Sequence, residues 1–214
     1  MDWCKQHAQC HALIVAQFGL DPYHKHMEDI EIRVTCLAHH EAGHIVIAAT
    51  QGLRLRSEGL MVDRVGEGLA CYFKEPDNND GSREQVILAT LAGFAAENRY
   101  RTDSSLPLRT DFEMIWSPDW KEARTVLCQL SATYLAGESL DIVLLKLQKE
   151  AETLVSANWT AIKRLASILL GKKLQPFKPL KSGTQWSREN IGVCVAGDEA
   201  VTILQEFQIM ATCS

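Results

Sequence analysis

The chain has 214 residues, 46% hydrophobic and 23% charged, with a formal net charge of -5. That composition suits a globular protein with a substantial core, and its acidic balance argues against a nucleic-acid partner, because phosphate binding needs a basic footprint. No window approaches the ~20 apolar residues that span a bilayer; the best stretch, Ala12 to Leu20, is short, interrupted by Gln17, and lacks both a basic leader and a small-residue cleavage site.

Residues 1–20 fit an amphipathic helix with Trp3, Cys10, Ile14 and Phe18 on one stripe, ended by Asp21-Pro22. Cys4, His7 and His11 share a face of it, with Cys10 nearby. No partner motif follows, so packing is the expected role of this Cys/His cluster. From about Asp29 to Thr50 the pattern is helical again, stopped by Gln51-Gly52. Two strand-like stretches, about 59–65 and 70–74, read as a hairpin across Gly66-Glu67-Gly68. After a polar turn at 75–81, Ser82 suits the start of a helix reaching about Arg99, with Val86, Leu88, Leu91 and Ala95 inward. Tyr100 to Trp116 reads as irregular. Ser117-Pro118-Asp119 then opens a helix, with a capping serine, proline at the first position and an acid in the first turn. Ser139 to Leu170 is one bent helix or two packed ones, and the lysine- and proline-bearing stretch after it reads as an exposed linker. A short helix is expected near Glu199–Phe207. The expected fold is mostly α with a small sheet, an α+β arrangement. Its divisions are an extension (1–28), a main domain (29–171), a linker (172–186) and a C-terminal segment packed on the domain (187–214).

The second helix carries His40-Glu41-Ala42-Gly43-His44, an HExxH motif. Residues four apart share a helix face with Cβ atoms ~5–6 Å apart, so both imidazoles can reach one metal ion. Glu41 sits beside the first of them, placed to act on water rather than to bind metal. A catalytic zinc site normally takes three protein ligands. Glu97, Asp111, Glu113 and Asp119 are the acidic candidates for the third, and spacing does not choose among them. Gly43 costs helix stability, so a close packing or site reason is expected there. His39 points ~100° away from His40 and is read as structural. With no span and no signal peptide read in the sequence, cytoplasm is the expected location, and the seven cysteines, at 4, 10, 36, 71, 128, 194 and 213, which form no CxxC pair, read as reduced thiols.

Three landmarks in order, His40–His44, then Ala92-Gly93-Phe94-Ala95-Ala96-Glu97, then Ser117-Pro118-Asp119, resemble the peptidase domain of FtsH-type, ATP-dependent zinc metalloproteases over about residues 30–170. The resemblance implies an FtsH-like HExxH metallopeptidase fold and a zinc ion held by His40, His44 and Asp119, with Glu97 as reserve third ligand or as a residue orienting a ligand. It also implies Glu41 as general base on a zinc-bound water and a substrate peptide laid along the strand near 70–74. Phe94 stands where the family has Arg and Pro118 where it has Asn, and 106–116 is bulkier than the family's glycine-rich approach. The expectation is a stand-alone endopeptidase acting on flexible or unfolded polypeptides, without the family's ATPase module or membrane anchor. It would be a monomer or small homo-oligomer, fed if at all by a separate ATPase or adaptor. The alternative is a catalytically silent, zinc-binding regulatory or binding protein, and a hydrolase of non-peptide amides is a third reading.

Overall fold

A computed structural model describes residues 25–63, 67–73, 80–130, 135–177 and 190–213. The helix expected over 1–20, with Cys4, His7, Cys10 and His11, lies outside the described residues. The chain is mostly helical with one small antiparallel sheet. Helix α1 (Lys25–Thr50) leads into strands β1 (Leu55–Asp63) and β2 (Gly68–Tyr72). Helices α2 (Asp80–Asp103), α3 (Asp111–Trp116), α4 (Pro118–Leu127), α5 (Leu140–Ala157) and α6 (Trp159–Leu170) follow. Strands β3 (Gln175–Phe177) and β4 (Asn190–Val195) and helix α7 (Gly197–Gln205) complete the described elements. Among the described residues the sheet order is β2-β1-β4-β3, with β2 and β3 outermost. No helix among the described residues is long and apolar enough to cross a membrane.

The core is built around two helices. Helix α1 packs on β1 and β2, on α6, and most extensively on α2, which turns its far side to α4 and α5. Every α2 residue from Val86 to Glu97 is therefore buried. Ala89, Ala92, Ala95 and Ala96 face the cluster of α1, the sheet and α6. Ile87, Leu88, Leu91 and Phe94 face the cluster of α4 and α5. Small residues on the α1 side let the two backbones close up. A Cβ on Gly43 would stand 2.6 Å from Ala96 Cβ and 2.8 Å from the Ala92 carbonyl oxygen, which is why the helix carries glycine there.

Three stretches differ from the sequence expectations. The segment 100–116 is not irregular throughout: α2 runs on to Asp103 and α3 forms at 111–116. The Thr110 hydroxyl accepts from the Glu113 N–H while the Glu113 carboxylate accepts from the Thr110 N–H, a capping box that starts α3. Within the expected linker, 175–177 pairs with β4 as the outermost described strand, where Pro176 costs no central ladder bond. The tail supplies strand β4 as well as a helix: Val193 and Val195 turn inward and the strand lies in register with β1, Met61 opposite Cys194. The break between α5 and α6 falls at Asn158.

Candidate metal centre

His40, Glu41 and His44 are all buried; the two imidazoles lie against Gly93 of α2, and Glu41 lies against Gly68 of β2. One helical turn sets the two imidazoles edge-on, ring centroids 4.7 Å apart. His44 Nδ1 lies 2.8 Å from the Ala89 carbonyl oxygen. A carbonyl only accepts, so Nδ1 carries a hydrogen, and Nε2 is the nitrogen left to face Asp119 and to serve as a ligand atom. His39 faces elsewhere, stacked on Tyr100 at 4.1 Å with Nδ1 donating to the Thr35 carbonyl. Burial lowers its pKa, and its role is packing.

Of the four acids, Asp119 is the one brought to both histidines. Its Oδ2 is 3.0 Å from His40 Nε2 and 3.6 Å from His44 Nε2. The local chain explains the placement. Ser117 caps α4 by accepting from the Trp120 N–H at 3.1 Å, Pro118 fits the first turn, and buried Trp120 and Ala123 seat the helix. The carboxylate in that turn is thereby turned to α1. Glu97 lies on the opposite side of His40, its Oε2 3.4 Å from Nδ1 but out of line for a hydrogen bond. Glu113 is spent on the α3 cap, and Asp111 is exposed.

The residues present fit a metal ion. His40, His44 and Asp119 offer ligand atoms all within 4.8 Å of one another, and tetrahedral ligands bound at ~2.0–2.1 Å stand roughly 3.3–3.4 Å apart. The observed separations from Asp119 bracket that value. Gly93 of α2 makes the room: a Cβ there would stand 2.6 Å from His40 Nε2 and 2.5 Å from His44 Cε1. Two imidazoles, a carboxylate and no thiolate form a donor set suited to zinc and neighbouring divalent ions.

The electrostatics are those of a cation site. Burial depresses the His40 imidazolium, but the carboxylates of Asp119 and Glu97 outweigh it and push the pKa up to about 10. Burial raises Glu97, yet its contact with His40 and the charges of His40 and Arg109 hold it at about 2. Asp119 is likewise held well below the usual range: the charge of His44 and the bond to His40 overcome burial. With Glu97 behind Nδ1, His40 can keep a hydrogen there, and Nε2, once its own proton is released to solvent, would be the atom that holds a metal.

Glu41 is placed by β2. A Cβ on Gly68, the first residue of that strand, would stand 2.8 Å from Glu41 Cγ and Cδ, so the carboxylate fills the space a side chain would take. In the sequence Gly68 reads as part of the hairpin turn and Gly93 as part of the second landmark; Gly68 instead opens β2, and Gly93, a glycine inside a helix, carried the signal of a close approach. Sequence reasoning passed over Arg101 and Arg109, which grip Glu97; only the folded arrangement brings Arg109 there. No family model matches the chain and no curated protein matches it.

Proposed function

We propose that this protein is a zinc-dependent endopeptidase with an FtsH-like catalytic domain, acting on flexible or unfolded polypeptides. The observation that carries the reading is the convergence of His40, His44 and Asp119 on one point, with buried Glu41 beside it. A metal with this ligand set and an open position is the usual device for hydrolysing amides at neutral pH. When bound, zinc supplies a Lewis acid that acidifies water and polarises the scissile carbonyl.

The chain's own residues do the rest. Glu41 takes the proton of the attacking water and returns it to the leaving amine. Ala89, through its carbonyl, fixes the ring of His44, and Glu97 backs the ring of His40. Strand β2 begins against Glu41 and is outermost in the sheet among the described residues, so an extended peptide added along it would run past the site. An edge strand selects for backbone that is already extended, which favours unfolded chains and flexible tails. A separate ATPase or adaptor would be needed to deliver folded ones.

Casein or a fluorogenic unfolded protein serves as the test substrate, with zinc content measured on the same samples. Zinc and cleavage in the wild type, cleavage lost but zinc kept in Glu41→Gln, and zinc lost in His40→Ala support the reading. Zinc without cleavage would point to a silent zinc-binding protein instead.

A further inference from the structure

One short stretch of chain, 109–119, bears on both sides of His40, directly through Asp119 and by way of Glu97 through Arg109. On the Nε2 side stands Asp119, 3.0 Å away. On the Nδ1 side stands Glu97, and the oxygen that faces His40, Oε2, also accepts from Arg109 Nη1 at 3.1 Å. The other oxygen, Oε1, is held by Arg101 through Nε at 2.9 Å and Nη2 at 2.8 Å. Arg101 sits one turn along the same helix as Glu97. Arg109 comes from outside it and is itself fixed. Its N–H donates to Asn98 Oδ1 at 2.9 Å, its carbonyl accepts from Asn98 Nδ2 at 3.3 Å, and its guanidinium lies 5.4 Å from the Phe94 ring centre. The next residue, Thr110, caps α3, and the single residue Ser117 separates α3 from α4.

We propose that Arg109 is a positioning residue for the metal centre, acting on His40 through Glu97. This inference rests on the metal-binding reading above and extends it outward to a residue that touches no ligand atom. The side chain of Glu97 is 7% exposed, so its charge needs compensation that an exposed ion pair would not. With Arg101 committed to Oε1, the orientation of Oε2 toward His40 depends on Arg109. An outer partner of this kind typically changes metal affinity tenfold to a hundredfold. The arginines line a cavity of about 290 Å³ together with Arg33, Leu37 and Glu113.

The experiment measures zinc affinity of the full chain by competition with a chromophoric chelator. Wild type, Arg109→Gln, Arg109→Lys, Glu97→Gln and the Glu97→Gln/Arg109→Gln pair are compared, and each is also melted metal-free. The expected result is about a tenfold to hundredfold loss in Arg109→Gln, as for other outer partners of metal ligands, with substantial recovery in Arg109→Lys. No further loss is expected when Arg109→Gln is added to Glu97→Gln. Wild-type affinity in Arg109→Gln would overturn the proposal, as would an equal loss with Glu97 already removed. A metal-free melting temperature that falls as far on adding Arg109→Gln to Glu97→Gln as it does in the wild type would also overturn it, since that marks a structural role independent of Glu97. A wild type that binds no zinc at all would overturn the endopeptidase reading as well, which separates the two failures.

Discussion

Gly93 lies against the ring nitrogen of His44: a single methyl group on it would stand 2.5 Å from His44 Cε1 and 2.6 Å from the Nε2 of His40. The absent side chain is thus a structural part of the candidate centre, supplied by a helix that provides no ligand. Gly93→Ala should weaken metal binding by at least about tenfold, in the range seen when ligand orientation is disturbed. Helix propensity favours alanine by roughly 0.5–1 kcal/mol, so any loss of metal-free stability should come from displaced rings alone. Metal titration and thermal melting on the same variant check this; undiminished affinity would contradict the placement of the ion beside Gly93.

Gly68 makes a contrasting case. Alanine there would press on the Glu41 side chain, not on the imidazoles. Gly68→Ala should therefore lower kcat about 10- to 100-fold, by disturbing a proton-transfer group, while leaving metal affinity near wild type. Paired measurements of turnover and metal content distinguish it from Gly93→Ala. A loss of metal in Gly68→Ala would mean that β2 supports the ligands as well as the base.

Acid and base should act differently on the metal-free protein. Glu97 is held at about 2, below its ordinary 4.5, so its contribution to stability is complete above 4.5 and lost as pH falls through 2. His40 is pushed from 6.5 up to about 10, so its contribution is complete below 6.5 and lost as pH rises through 10. Melting temperature measured in chelator across this range should fall at both ends. Glu97→Gln should flatten the acid side, and saturating zinc should flatten the basic side, because the metal replaces the proton on His40. A Glu97→Gln profile that overlays the wild type would refute the assignment.

Ser117 links the two short helices and aims Asp119. Its hydroxyl caps α4 through the Trp120 N–H, and removing a cap of this kind costs about 1 kcal/mol. Ser117→Ala should show that loss in denaturant melts, together with weaker metal binding. If stability falls and affinity does not, the carboxylate is being held by Pro118 and Trp120 alone.

The parts of this centre that were legible in the sequence are those set by local geometry. HExxH puts His40 and His44 on one face because residues four apart on a helix always meet, and Ser117-Pro118-Asp119 announces a helix start through capping rules. Spacing alone did not choose among Asp119, Glu97, Asp111 and Glu113, since all four lie downstream at spacings a chain can close in many ways; the family resemblance implied Asp119, which the fold brings to both histidines. Helix α3 was overlooked although Thr110 and Glu113 stand at capping-box spacing, because six residues are too few for a hydrophobic period to show. Strand β4 pairs with β1 across more than a hundred residues of sequence, a register that nothing local encodes.

The most direct test is metal stoichiometry on purified wild type, Asp119→Ala and Glu97→Ala after zinc reconstitution, with cleavage of an unfolded fluorogenic protein on the same samples. The account predicts one zinc per wild-type chain and cleavage. It predicts loss of both in Asp119→Ala, and reduced affinity without loss of the site in Glu97→Ala. A wild type that takes up no zinc, or an Asp119→Ala that binds it as well as wild type, would contradict the central claim that His40, His44 and Asp119 together hold the ion.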